Sequence, residues 1–189
     1  MRRVLLAALF LAAGCASGPQ PADWELNSSQ ALAAFQRYYL AGDARAQAEF
    51  DIARRELAST GREDLVARAE LVRCALQAAS LEFGACPGFE ALRAGAGTAE
   101  RDYWDYLAGK RSRPASADDP LSRLVALGVR LRTASIDPEG IAQAVNIASS
   151  QGWRRPLLAW LGVQEKRARD AGDAEAARAI RRRIDLISG

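Results

Sequence analysis

The stretch Tyr38-Tyr-Leu-Ala-Gly-Asp-Ala-Arg-Ala-Gln-Ala-Glu-Phe50 predicts two helices joined by a tight turn. Gly42 is typical of a helix C-terminus, and Asp43 is a good cap for the helix that follows. Ser28 or Ser29 can cap the preceding helix. Because the turn is short, the two helices are expected to pack antiparallel. Apolar residues recur at helical spacing on one face of each helix, Leu32, Phe35 and Tyr39 before the turn and Ala46, Phe50, Ala53 and Leu57 after it.

The helical pattern continues through the rest of the chain. A further helix is expected from about Thr98, and Asp137-Pro-Glu139 combines a capping residue with proline in the first turn of another. Pro156 and Asp173 mark two more helix starts. No segment has the alternation of a strand, so the sequence predicts an all-α array of antiparallel helical hairpins, with about seven to eight helices. The third helix has its predicted face at Leu65, Ala69, Val72 and Leu76.

The segment 38–43 and the spacing of Ala46, Phe50 and Ala53 resemble part of a tetratricopeptide repeat. In that family a Gly-Asp turn separates two helices, and alanine and aromatic residues at this spacing allow close packing. The segment departs from the family pattern, because Gly42 lies one position too close to Ala46 and the proline after the second helix is missing. A second Ala-Gly-Asp at 171–173 follows no constant period. The array is therefore expected to be partly repeat-like.

The first fifteen residues have the anatomy of a secretory signal, with Arg2 and Arg3 followed by a short apolar run. The run of about ten residues is too short to cross a bilayer, which needs about twenty. Its ending, Leu11-Ala-Ala-Gly-Cys15, resembles the lipobox of bacterial lipoproteins, although Ala12 stands where a larger aliphatic residue is usual. The resemblance implies cleavage before Cys15 once its thiol carries a diacylglyceryl group. Ordinary secretion with a cut near Ala16 is the alternative.

These features predict the domain organisation and the location of the protein. Residues 1–14 are expected to be a signal peptide and 15–27 a flexible tether, since the latter are small, proline-containing and aperiodic. Residues 28–189 are expected to form one helical domain, with 109–119 as a candidate subdomain boundary. In enterobacterial lipoproteins Asp after the lipidated cysteine resembles an inner-membrane retention signal. Ala16 stands there, which implies an outer-membrane anchor facing the periplasm.

The two remaining cysteines, Cys74 and Cys86, form an even pair in a compartment where disulfides persist. We predict that they are bridged, the alternative being two buried free thiols. The bridge sets a geometric condition, because a helix continuing from Cys74 to Phe83 would end about 13 Å away. The three residues that return to Cys86 span only about 10 Å. The helix is therefore expected to stop by about Leu81.

Composition excludes several classes of function. Removing Arg2 and Arg3 lowers the formal net charge from +3 to about +1, so no nucleic-acid partner is expected. The chain has no histidine, no zinc-type cysteine spacing, no glycine-rich phosphate loop and no nucleophile elbow. The sequence thus predicts no metal, no cofactor and no catalytic residue. A glycosidase that uses only two carboxylates stays as an alternative, because its acids need no sequence spacing.

Three short segments are candidates for binding a partner. The aromatic cluster Tyr103, Trp104 and Tyr106 precedes the polar stretch 109–119, and core packing is its alternative interpretation. The basic run Arg181-Arg-Arg183 could contact anionic lipid, or could simply be a solvated helix end that complements the helix dipole. The third candidate is Trp153, Arg154 and Arg155. Its alternative is a tryptophan packed under the next helix with both arginines in water.

Two functions are consistent with these observations. The first is a lipid-anchored, non-enzymatic adaptor or assembly scaffold for another envelope protein, since grooves between helices suit partner segments. Its size and helical content resemble pilotins, the small lipoproteins of secretin assembly. The second is an envelope enzyme or lipid-handling protein with a pocket between the helical halves. A deep pocket with converging buried acids favours an enzyme, an apolar tunnel favours lipid handling, and an open aromatic groove favours an adaptor.

Overall fold

The computed structural model describes residues 20–112 and 119–189. These ranges contain nine α-helices and no strand. The all-α prediction is confirmed, and neighbouring helices pack as hairpins. Within those ranges, no helix is both long and apolar enough to cross a membrane. The helices are α1 (Asp23–Ala41), α2 (Ala46–Ala58), α3 (Glu63–Ala79), α4 (Pro87–Glu90), α5 (Thr98–Leu107), α6 (Pro120–Arg132), α7 (Pro138–Ser150), α8 (Arg154–Asp170) and α9 (Ala174–Ser188).

Helix α3 lies between two hydrophobic cores. Ten of its 17 residues are buried, and a helix that is apolar around most of its circumference must be surrounded by protein. The face predicted from the sequence is one part of this buried surface: Ala69 and Leu76 belong to the first core, which α1 and α2 complete. Leu71 and Ala75 belong to the second core, on the other side, which α4 to α8 complete.

The first core confirms the predicted α1–α2 hairpin. Phe35 and Phe50 face each other across it with their ring centroids 4.9 Å apart, and both are almost fully buried. Gly42 ends α1 in the left-handed conformation at φ 75°, where glycine is favoured, and donates its N–H to the Tyr39 carbonyl. Asp43 accepts the Arg45 N–H at 2.9 Å, one residue before α2 begins. The sequence therefore predicted the turn. The prediction that Asp43 caps α2 was wrong, because Arg45 is the N-cap residue and no side chain caps this helix.

The second core depends on a close approach of α6 to α3. A Cβ atom placed on Gly128 would lie 2.2 Å from the Ala78 carbonyl oxygen, so only glycine fits at this crossing. Trp160 of α8 is completely buried, and its indole N–H donates to the Ala79 carbonyl at 3.0 Å. Helices α6 and α8 thus both contact the C-terminal end of α3, and the Trp160 bond pairs a carbonyl that the helix itself leaves unpaired.

Two of the predicted helix starts are confirmed by side-chain caps. Asp137 accepts the Gly140 N–H at 2.7 Å, and Pro138 occupies the first helical position of α7. Asp173 accepts the Ala176 N–H at 2.9 Å at the start of α9. Helix α5 begins at Thr98, as expected, whereas α8 begins at Arg154, two residues before Pro156.

The start of α1 corrects the predicted tether. Helix α1 begins at Asp23, so residues 23–27 are helical, and the tether prediction for 15–27 was wrong for this part. Ser28 caps nothing; it is buried inside the helix and donates its hydroxyl to the Glu25 carbonyl. Two acids in the first turn favour the helix N-terminus electrostatically. Residues 1–19, with the predicted signal peptide and Cys15, lie outside the described residues, as do 113–118 within the candidate boundary.

Replacing Gly128 with alanine tests the close crossing of α3 and α6. At an exposed position inside a helix, alanine stabilises the helix by about 1 kcal/mol relative to glycine. At position 128, however, its methyl group would overlap the backbone of Ala78. We expect Gly128→Ala to lower the free energy of unfolding by about 1–3 kcal/mol in urea denaturation. Gly162→Ala on α8 is the matched control, because its Cβ would meet no atom within 4 Å. The control should be neutral or stabilising, and a Gly128→Ala protein of undiminished stability would contradict the crossing.

Candidate functional site

A groove of about 670 Å³ opens between α3, α5 and α6, with Gln36 of α1 at its edge. Its floor is aliphatic and comes from both cores, because α3 presents residues of each side there. Two tyrosines of α5 form one wall, and we call this feature the tyrosine groove. The buried floor residues are Leu71, Ala75, Leu76 and Val125, with Val72 and Leu121 half-buried beside them.

The structure separates the predicted aromatic cluster into groove and core. Tyr103 and Tyr106 line the groove, half-buried, with their ring centroids 6.0 Å apart. Trp104 lies on the other side of α5, as the 100° turn per residue requires, and is only 5% exposed. Its ring packs on Phe89, and its N–H donates to Glu90 at 2.5 Å. Trp104 is therefore a core residue, and its predicted part in partner binding is not supported by its position.

Two ion pairs stand at the edge of the groove. Arg68 of α3 binds Glu100 of α5 at 2.8 Å, and Arg111 binds Asp102. The hydrogen bond from Arg68 holds the pKa of the Glu100 carboxyl below its usual value. A general acid at neutral pH needs the opposite shift, so Glu100 is unsuited to that role. The edge is charged but balanced, with one cation for each acid.

Cys74 and Cys86 lie at disulfide distance and attach the start of α4 to α3. Their Cα atoms are 6.0 Å apart, within the range that a bridge allows. Helix α3 ends at Ala79 and the chain reverses at Leu81, so the predicted condition on the helix end is met. The pair fixes the segment that carries Phe89 and Glu90, the two contacts of Trp104. Through these contacts of Trp104, the cysteine pair fixes the position of α5, the wall of the tyrosine groove.

The segment Trp153, Arg154 and Arg155 is part of the fold. Trp153 is half-buried and packs against both cores. Arg154 donates to the Ile187 carbonyl at 3.0 Å and the Ser188 carbonyl at 3.3 Å, at the end of α9. Such carbonyls have no partner within their own helix, and a cation near them also complements the helix dipole. The alternative interpretation placed the tryptophan correctly. Arg154 is exposed to water while it binds α9, whereas Arg155 is half-buried.

Arg155 connects the end of α1 to the α3–α4 turn. Its Nε donates to the Tyr39 carbonyl at 2.9 Å, and its Nη1 donates to Glu82 at the same distance. Tyr39 donates its hydroxyl to the same carboxylate at 2.7 Å. Burial of the phenol, together with the Glu82 charge, raises the pKa of Tyr39 well above its ordinary value. These contacts give Arg155 a structural role, and neither Arg154 nor Arg155 lines the tyrosine groove.

Two buried carboxylates were missed in the sequence. Glu70 of α3 is 2% exposed and binds Arg54 at 3.0 Å and also Arg73. Glu165 of α8 is 5% exposed and binds Arg169 and Arg181, the latter at 2.7 Å. Their local signal was an arginine three or four residues later on the same helix; each second arginine comes from a neighbouring helix.

These paired acids lie away from the tyrosine groove. Across the described ranges, no three His, Cys, Asp or Glu side chains are grouped as metal ligands. Comparison with protein-family models, curated proteins and solved structures finds no match for this chain. The interpretation of the site therefore comes from its own geometry. The arrangement offers an apolar surface, two phenols and fixed edge charges.

The cysteine pair can be tested by its effect on stability. A bridge closing a loop of this length contributes about 3 kcal/mol, so a reductant should lower the free energy of unfolding by about 2–4 kcal/mol. The Cys74→Ser/Cys86→Ser variant is the control and should not respond to the reductant. In a Cys15→Ser background, thiol titration of denatured, unreduced protein should find no free thiol. Two reactive thiols would exclude the bridge.

Proposed function

We propose that this chain is a lipid-anchored helical lipoprotein of the outer membrane, facing the periplasm, and that it acts as a non-enzymatic adaptor or assembly scaffold for another envelope protein. The single observation that carries the adaptor role is the tyrosine groove, an open surface with an aliphatic floor and an aromatic wall. Tyrosine is favoured at protein interfaces because it combines a large apolar ring with a hydroxyl that can bond a polar backbone.

The dimensions of the groove suit a short segment of a partner. Helix α5, which forms the wall, has ten residues and is about 15 Å long. A partner helix of two to three turns, or an extended segment of about five residues, would follow such a wall. Apolar side chains of the segment would rest on the aliphatic floor. The paired charges at the edge would face its polar side, in the usual arrangement of apolar centre and polar rim.

The charge distribution supports binding over catalysis. Glu100 and Asp102 line the groove, and each is paired with an arginine. Catalytic acids in glycosidases need two carboxyl groups with different pKa values directed at one bond. The lowered pKa of Glu100 opposes the general-acid role in such a pair, because that role needs a raised pKa. A lipid or another small apolar molecule is the second candidate occupant, since the volume of about 670 Å³ is ordinary for such ligands.

The lipid anchor and the envelope location are proposed from the sequence Leu11-Ala-Ala-Gly-Cys15. The Cys74 and Cys86 pair supports export, because disulfides persist in the periplasm and are rare in the cytosol. The anchor would hold the groove near the membrane, where partner segments emerging from the bilayer are accessible.

Cross-linking in intact envelope tests the adaptor role. Wild-type protein and the Tyr103→Ala/Tyr106→Ala variant would be cross-linked, extracted in detergent and recovered for partner identification. Loss of two interface aromatics commonly costs more than 1.4 kcal/mol, so recovery of a stoichiometric partner should fall at least about tenfold. Phe83→Ala is the matched control, because it removes an exposed aromatic ring outside the groove.

The outcomes separate the proposed roles. A partner recovered with wild type and Phe83→Ala, and lost with the double tyrosine variant, supports the adaptor. Equal recovery with all three proteins contradicts binding in the tyrosine groove. Co-purification of a lipid that the tyrosine variant lacks, with no protein partner, would support lipid handling instead.

Replacing Cys15 with alanine tests the anchor. Because lipidation at the cysteine thiol precedes cleavage, the variant should accumulate as an uncleaved precursor without labelled palmitate. Wild-type protein should incorporate the label and migrate as the shorter form. Normal processing of Cys15→Ala, or an unlabelled wild-type protein cut near Ala16, would contradict a lipoprotein.

A further inference from the structure

Helix α9 has two faces of different character. One face packs on the second core through the half-buried Ile180, Ile184 and Ile187, and Ala177 on the same side of the helix is buried. The opposite face carries Arg182 and Leu186, four residues apart, with Arg178 and Arg183 at its two edges. Arg178 also borders the pocket between α8 and α9, next to Ala177 and Arg181. Leu186 is 83% exposed, nearly twice the fraction of Leu26, the next most exposed large apolar side chain among the described residues.

The arginines of this face are not used by the fold. Arg178, Arg182 and Arg183 are exposed, and none has an ion pair within the described ranges. Arg181, their neighbour, points elsewhere and neutralises the buried Glu165. The predicted basic run 181–183 is therefore divided, with one arginine structural and two facing solvent. We call Arg178, Arg182 and Arg183 the arginine face.

The arginine face is held rigidly in place. Arg154 of α8 donates to the Ile187 and Ser188 carbonyls, so the last turn of α9 is attached to the start of α8. Acids on α9 are Glu175, one turn before Arg178, and Asp185 at the flank. The half of α9 that carries Arg182, Arg183 and Leu186 thus has a net positive surface with one apolar side chain at its centre.

We propose that this face binds the anionic phospholipid surface of a membrane, with the arginines on headgroup phosphates and Leu186 inserted among the upper acyl segments. Clustered arginines are attracted electrostatically to an anionic lipid surface, and the exposed leucine among them adds apolar contact at that surface. Guanidinium groups bind phosphate with paired N–H donors. Each arginine near an anionic surface contributes roughly fivefold in affinity. The inference does not depend on lipidation of Cys15, because it concerns only described residues.

Fluorescence quenching in the full chain tests this contact. Leu186→Trp places a reporter at the proposed insertion point, and the unsubstituted protein supplies the background from the native tryptophans. In vesicles of phosphatidylcholine with one third brominated phosphatidylglycerol, the added fluorescence should be quenched by at least half. Quenching should fall to background when Arg178→Gln, Arg182→Gln and Arg183→Gln are added, or when brominated phosphatidylcholine is the only lipid.

The matched control removes the same number of positive charges from helices other than α9. Arg37→Gln, Arg55→Gln and Arg123→Gln replace exposed arginines without an ion pair in the described chain, and α9 stays intact. Quenching should persist in this control. Equal loss in both triple variants would mean that net charge alone is responsible and would overturn the proposal. The proposal would also be overturned if the Leu186→Trp protein without arginine substitutions showed no quenching. Binding of this protein to acidic protein or nucleic acid, but not to the vesicles, would overturn it as well.

Discussion

The burial of α3 on two sides is the constraint on which the remaining helices depend. A central helix of this kind needs short side chains wherever a neighbour crosses closely, and α3 provides alanine at Ala67, Ala75, Ala78 and Ala79. Alanine also has the highest helix propensity, so close packing does not weaken the helix itself. The crossing with α6 is so close that Gly128 must lack a side chain. Small side chains on α3 and the absence of one at Gly128 therefore allow the close packing of this part of the protein.

The tyrosine groove follows from the same constraint. Helix α3 faces both cores, and where α5 and α6 diverge its aliphatic side chains stay partly uncovered. Helix α5 can expose Tyr103 and Tyr106 there because Trp104, on its other side, is fixed by Phe89 and Glu90. Those two residues follow Cys86, which is held at Cys74. The wall of the groove is thus connected to α3 through the cysteine pair, although these residues are distant in sequence.

Local signals made much of this fold predictable, and long-range contacts limited the rest. Gly42 and the Asp137 cap act within a few residues, so the sequence alone indicated their roles. The reach of the chain from Cys74 to Cys86 also predicted where α3 ends. The predicted start of α1 was wrong, because serine is a common capping residue but Ser28 lies inside the helix. Helical geometry predicted that Trp104 and Tyr103 face apart, whereas which of them is buried depends on α4.

Arginine illustrates why composition could not identify a binding surface. The guanidinium groups of Arg54 and Arg181 compensate carboxylates that burial would otherwise make costly. Arg154 donates to the last carbonyls of α9, a function that needs its fork of N–H donors rather than its net charge. The arginine face of α9 differs from these arginines, since none of its cations forms an ion pair with a carboxylate within residues 20–112 and 119–189. A surface is therefore defined by the charges that the fold leaves uncompensated, and those depend on contacts between helices that are far apart in the chain.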